Sequence, residues 1–306
     1  MKGNKKFLFK MMTFIKVKRE QLKKIKMILS FINFYAILNL ILFGRKYSKN
    51  YKIVAISYGD NNFKKQLKVN ELTAKKVGKV DEYYSYTFDD IDLDFLKRNK
   101  EILYRPRGNG YWLWKPYFIL KTLKEKLNKG DYLIYTDAGI FYLDEVDKII
   151  KFMKSINEEI WLNRLTHLEK KYSKRDAFIL LDADSPIYSD TFQYMASFQI
   201  YKKSEFTEMF IEKVLKYSTD KRIITDDPNT QGLPNYQGFI DNRHDQTILS
   251  ILFKKYKFSN LNKNKTKVDD LNNMNYNFTT KFLCIYRRLS FKNLYDLRRK
   301  CPEKFQ

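Results

Sequence analysis

Asp131-Tyr132-Leu133-Ile134-Tyr135-Thr136-Asp137-Ala138-Gly139 is the stretch that decides the fold. Its apolar and β-branched residues end abruptly at an aspartate and two small residues. That pattern reads as a buried strand whose C-terminal end presents a carboxylate at a tight turn. Lys52-Ile53-Val54-Ala55-Ile56-Ser57-Tyr58 reads the same way and stops at Gly59-Asp60. Periodicity predicts helices over 63–78, 111–127, 144–156, 205–217 and 246–255. Further strands are expected at 81–86, 177–181 and 195–201, and residues 89–98 read as a short helix or loop. Pro228, Gly232, Pro234 and Gly238 mark 226–243 as a loop. Strands alternating with helices predict an α/β fold, a mixed and largely parallel sheet flanked by helices. Ligands collect at the C-terminal ends of strands in such sheets.

The charge is concentrated at the two ends of the chain. Of the formal +24, residues 1–50 carry +12 and residues 254–306 carry +10, which leaves +2 for 51–253. A nucleic-acid binder more often places its basic stripe on the folded domain, so no nucleic-acid partner is expected. Basic residues flanking apolar runs suit an anionic membrane surface. Met27 to Gly44 is uncharged and long enough to approach a span, and Ser30, Asn33 and Asn39 interrupt it. Spanning, lying in the interface and packing as a buried helix are all open readings. No small-residue cleavage site follows, which argues against a signal peptide. Three regions result: a membrane-associating segment (1–50), a catalytic domain (51–258), and a basic linker with an amphipathic helix over 280–300 (259–306). Cys284 and Cys301 have neither the pairing nor the spacing of a disulfide framework or a zinc site.

Four groups of residues carry candidate chemistry. Asp137 at its strand end can face a divalent cation or a ribose hydroxyl, and Gly139 lets a diphosphate come close. Arg105-Pro106-Arg107-Gly108-Asn109-Gly110-Tyr111-Trp112-Leu113-Trp114-Lys115-Pro116 offers two guanidinium groups and flat aromatics at a helix start, which suits an anionic, planar ligand. The aromatics can equally be packing. Asp241-Asn242-Arg243-His244-Asp245-Gln246 opens a helix. His244 can ligate a metal, and Asp245 can position or deprotonate a hydroxyl. A plain N-cap cluster is the alternative. Asp182 and Asp184 follow the expected strand at 177–181, where they bind metal or acceptor sugar or form a solvated turn. His167 reads as a surface residue in a charged helical stretch. No phosphate-binding P-loop, nucleophile elbow or His-Glu-x-x-His is present.

Gly110-Tyr111-Trp112-Leu113-Trp114-Lys115-Pro116, Asp131 to Gly139 and Arg243-His244-Asp245-Gln246-Thr247-Ile248-Leu249 together resemble bacterial glycosyltransferases of the Rossmann-like GT-A fold. These act in surface-polysaccharide and lipopolysaccharide synthesis, and the order is similar to glycogenin-like Asp-x-Asp enzymes. The resemblance spans about residues 51–255. It implies a nucleotide-sugar donor, a lipid-linked or glycan acceptor, and Mn²⁺ or Mg²⁺. It implies that Ser57, Tyr58 and Gly59 face the nucleotide, and that Arg107, Trp114 and Lys115 hold donor phosphate or base. Asp245 and Gln246 would face acceptor or donor sugar. The family's second acid is missing, since Asp137 is followed by Ala138 and Gly139. Either His244 joins Asp137 as a ligand or the metal is bound weakly or not at all. A donor made in the cytoplasm favours an interfacial anchor on the cytoplasmic face of the inner membrane. A metal-dependent nucleotidyl- or phosphotransferase, and a non-catalytic protein docking on membranes or RNA, are the competing readings.

Overall fold

A computed structural model describes residues 49–261 and 286–288 of the chain. The basic N-terminal segment to residue 48, the apolar run 27–44 and most of the basic tail lie outside the described residues. In chain order the main elements are β1 (Ile53–Tyr58), α1 (Lys64–Lys76), β2 (Glu82–Tyr86), α2 (Trp114–Lys126), β3 (Tyr132–Thr136) and β4 (Ile140–Tyr142). They continue with α3 (Asp147–Ser155), β5 (Ile160–Leu168), β6 (Phe192–Lys202), α4 (Glu205–Ser218), α5 (Asp245–Leu261) and β7 (Tyr286–Arg288). Short helical turns join them.

The main sheet has the order β2-β1-β3-β6-β5. β1 is parallel to β2 and β3, whereas β6 is antiparallel to both β3 and β5. Only β6 therefore opposes the common strand direction, and the sheet is mixed and largely parallel, as expected. Every residue of β1 and of β3 is buried. Strands covered on both faces read as continuous apolar runs rather than as alternation, and that is how both appear in the sequence. Alternate residues still part to opposite faces. Val54, Ile56, Leu133 and Tyr135 join the core beneath α2, α4 and α5. Ile53, Ala55, Tyr132 and Ile134 join the core beneath α3, whose Ile149, Ile150 and Met153 form one apolar stripe.

Three expectations need correction. Residues 177–181 are not a strand; Arg175–Leu180 is a helical turn. Five apolar residues carry no period of their own. Asp176 anchors this turn by accepting the backbone N–H of Thr230 (2.7 Å) and Gln231 (3.1 Å). The missing strand is β5, and it carries His167, which was expected on a helix. Tyr286–Arg288, inside the stretch read as an amphipathic helix, is a strand that pairs with β4. This pairing gives backbone partners to both short segments, a long-range match that a local apolar pattern does not carry.

α5 is fastened to the sheet by a buried polar knot. Glu169, 0% exposed, accepts from Ser173 (2.6 Å), Gln193 (2.7 Å), Ser250 (2.5 Å) and the ammonium of Lys254 (2.5 Å). Burial lowers the Lys254 pKa against the pull of Glu169. Removing one partner strands the other charge in the core. Glu169→Ala is expected to lower unfolding free energy by about 3–5 kcal/mol, read from urea denaturation. A loss under about 1 kcal/mol, the scale of an exposed pair, would contradict the buried placement.

Candidate active site

The chain leaves β1 for β2 on one side and returns to β3 on the other. This change of direction opens a crevice beyond the strand ends. The ends of β1 and β3 are locked together there, because the buried Ser57 hydroxyl donates to Thr136 O at 2.7 Å. Asp137 follows at once, its N–H on Ser197 O (2.9 Å). Asn70 of α1, fully buried, clamps the same turn through Thr136 Oγ1 (2.9 Å) and Ile140 O (2.7 Å). Nothing in the helical pattern around Asn70 separates this clamp from an ordinary polar helix residue.

A cavity of about 360 Å³ opens beside this turn. It unites Arg107, Lys115, Asp137, His244, Asp245 and Gln246, six of the residues singled out in the sequence. Trp112, His167, Asn242 and Arg243 also line it. Ser57, Tyr58, Gly59, Arg105, Trp114, Gly139, Asp182 and Asp184 lie outside that lining. Tyr58 and Trp114 are buried and stack on each other at 3.7 Å between ring centroids, so both belong to the core. Arg105 sits 3.6 Å from Asp227, and Gly59 donates its N–H to Tyr86 O. Asp184 is clamped by Arg175 (2.8 Å) and by Tyr236 (2.7 Å), while Asp182 pairs with Lys255 (3.2 Å).

The tryptophan that reaches the cavity is Trp112, and backbone geometry puts it there. Five consecutive residues, Gly108 to Trp112, have positive φ (59°, 51°, 92°, 52° and 60°). This is a left-handed turn, which bulky residues adopt only under constraint. It lays Trp112 against His244, with centroids 5.4 Å apart and 24° between planes. Gly110 is required for space as well as conformation, since a Cβ there would lie 2.6 Å from Leu103 Cα. Glycine signals a turn in sequence, but not that two aromatics will share its handedness.

His244 is 2% exposed and also left-handed (φ 55°). Its Nδ1 lies 2.7 Å from Ile224 O. A carbonyl only accepts, so Nδ1 carries the proton. Burial lowers the imidazole pKa, and Nε2 is left with a lone pair and no hydrogen-bond partner among the described residues. Asp226 Oδ1 is 3.7 Å from it. Arg107 bridges the rim by gripping Asp226 and Asp241, each at 2.9 Å, and so straps the 226–243 loop.

The centre of the cavity is a charge cluster. Lys115, 4% exposed, places Nζ 2.6 Å from Asp245 Oδ2 and 3.5 Å from Asp137 Oδ1. Tyr135 also donates to Asp137 Oδ1 (2.7 Å). Burial opposes the charge on Lys115, but the two carboxylates outweigh it and its pKa is raised. Burial pushes the Asp245 carboxyl up to about 6 despite Lys115, and Asp137 adds to the rise. Gln246 is pinned on both sides: it donates to Gln193 Oε1 (2.8 Å) and accepts from Ala196 N–H (3.2 Å).

The expected divalent cation meets a poor donor set. Asp137 and His244 share the cavity, yet among the described residues no three of His, Cys, Asp and Glu converge to hold a metal. The Asp137 carboxylate already faces an ammonium, which repels a second cation. The residues present do not fit a dedicated divalent centre.

No family model matches the chain, and no curated protein sequence does. Solved structures with a partial likeness include the bifunctional glycosyltransferase WbbM, at 9% identity and TM-score 0.40 over 68% of this chain and 38% of that one. Mouse xyloside xylosyltransferase 1 matches at 8% identity and TM-score 0.39, over 69% of this chain and 83% of that one. Core-mannan synthase A from Aspergillus fumigatus, in its Mn/GDP form, matches at 13% identity and TM-score 0.39 over 68% and 71%.

The left-handed turn provides a test of the site's framework. Gly110→Ala is expected to lower stability by roughly 3 kcal/mol, through backbone strain and overpacking together. Urea midpoints at unchanged slope would measure it. A loss below about 1 kcal/mol is too small for that strain and would mean the turn is not left-handed.

Proposed function

We propose that the chain is a glycosyltransferase that moves a sugar from a nucleoside-diphosphate donor to a hydroxyl acceptor. The observation that carries this reading is the convergence of Asp137 and Asp245 on Lys115 inside one cavity, with Trp112 on its wall. Cations and a flat aromatic suit a nucleoside diphosphate. A buried carboxyl whose pKa lies near 6 suits a proton acceptor working near neutral pH. The three sequence segments that resemble GT-A enzymes contribute these same side chains, which supports the reading.

In this mechanism Asp137 orients the donor at the strand end. Arg107 and Arg243 lie in the cavity wall, where they attract the diphosphate. Asp245 takes the proton of the acceptor hydroxyl as its oxygen attacks the anomeric carbon. Gln246, held on both sides, fixes the first turn of α5 and with it the Asp245 carboxylate. The acceptor is a lipid-linked or polysaccharide glycan of cell-surface synthesis, and the basic, apolar ends of the chain hold the enzyme on the cytoplasmic face of an anionic membrane. No helix among the described residues is long and apolar enough to cross a membrane. The charge concentrated outside 51–253 supports this surface attachment.

Two measurements test the reading. Asp137→Ala is expected to lower sugar transfer by about 100-fold or more while the folded protein remains; unchanged donor turnover would refute it. Release of a nucleoside diphosphate identifies glycosyl transfer, whereas a monophosphate with pyrophosphate would identify nucleotidyl transfer.

The pH profile tests the role of Asp245. A raised pKa means the carboxyl carries its own proton below about pH 6 and cannot accept another. The kcat/KM value is expected to fall about tenfold per pH unit on the acid side of that value. Asp245→Asn should lower the rate by about 10²–10⁴-fold and abolish this acid limb. An acid limb that survives in the variant would assign the base elsewhere.

A further inference from the structure

Within the nucleotide-sugar reading above, on which this inference rests, we infer that Lys115 is the site's internal cation. Its ammonium, in place of a bound divalent ion, takes the charge that develops on the leaving diphosphate. The argument begins with position. Lys115 lies in the first turn of α2 and reaches the cavity at the end of β3, where the family pattern would have a metal. Both carboxylates that face the cavity centre point at this one ammonium, at 2.6 and 3.5 Å. A hard divalent cation in such a site is anchored by one or two carboxylates that face it, with waters and phosphates completing its shell. Here the available carboxylates already neutralise a lysine, and the two rim acids, Asp226 and Asp241, are held by Arg107.

The surroundings keep Lys115 charged and directed. The aromatic faces of Tyr135 and Trp114 lie 5.2 and 5.9 Å from Nζ. They stabilise an ammonium without competing for its hydrogen bonds. The positive start of this 13-residue helix opposes the ammonium but favours an anion bound beside it. Arg107 and Arg243 also line the cavity, and the exposed pairs of Arg107 with Asp226 and Asp241 are ones that a bound anion can compete with. Lys115 has three N–H groups and can turn one toward a phosphate oxygen.

The step balances without a further reactant. The bond from the anomeric carbon to the diphosphate oxygen breaks, and its electron pair stays on that oxygen. Lys115 donates a hydrogen bond to it and keeps its proton. The acceptor oxygen bonds to the anomeric carbon, and the acceptor proton passes to Asp245. Stabilisation falls where charge develops, so Lys115 acts on the transition state more than on the bound donor.

Binding of UDP, GDP, ADP and inorganic pyrophosphate to the full chain, read by calorimetry and thermal shift in EDTA and in MnCl2, tests the inference. At least one of these is expected to bind with affinity that changes less than about threefold between the two buffers. Lys115→Met should weaken that binding about tenfold or more in EDTA, the scale of one charge-assisted hydrogen bond. Because Lys115→Met leaves two carboxylates facing each other in the core, Lys115→Met/Asp245→Asn is run beside it. Binding that requires Mn²⁺, or that survives unchanged in both folded variants, would overturn the inference while leaving the nucleotide-sugar reading standing. No binding of any probe in either buffer would remove that reading, and the inference with it.

Discussion

A lysine ammonium that is 4% exposed has to be paired, and the architecture of this site follows from that requirement. Taking such a charge out of water costs several kcal/mol unless opposite charges and hydrogen bonds replace the solvent. Lys115 meets it with Asp137 from the end of β3 and Asp245 from the start of α5, residues 108 positions apart. The starts of α2 and α5 are thereby tied to the end of the central strand β3. Burial raises the Asp245 pKa in spite of Lys115, and the second carboxylate, Asp137, adds to the rise.

Backbone strain sets the wall of the same cavity. A left-handed run from Gly108 to Trp112 and a left-handed His244 pack against each other in it. Such conformations persist only where the surroundings over-determine them. Here Trp114 donates to Gly108 O (3.0 Å), Gly110 is wedged against Leu103, and His244 is tied to Ile224 O. The strain places the Trp112 and His244 rings together in the cavity lining.

Rigidity reaches the site from below. The knot around Glu169 joins Ser173, Gln193 of β6 and Ser250 and Lys254 of α5. Gln193 passes the restraint on to Gln246, the neighbour of Asp245. Buried networks that are fully satisfied specify one geometry, because any shift leaves a polar group unpaired in a low-dielectric interior. The 226–243 loop is held at its middle by buried Asp176, while Asp226 and Asp241 at its ends make exposed ion pairs to Arg107 that solvent and a bound anion can compete with. The cavity therefore has a stiff floor and a rim that depends on charge.

Much of this was legible in the chain itself. The uninterrupted apolar runs of β1 and β3 announced strands buried on both faces, because such strands lack alternation. The strand-end Asp137, the Arg107 to Lys115 segment and the His244-Asp245-Gln246 helix start were all visible, since their residue types are unusual for plain packing. The elements misread were those whose identity depends on partners. Residues 177–181 form a turn because Asp176 meets the 230–231 backbone, and 286–288 pair with β4 across more than 140 positions. Which tryptophan faces the cavity was likewise undecidable, as it depends on the sign of φ at five successive residues. The sequence by itself determined a layered α/β chain with a carboxylate at the end of its central strand. Only the tertiary structure decided that Lys115 stands between that carboxylate and Asp245, because a buried ion pair exists only once desolvation and distance are both set by the fold.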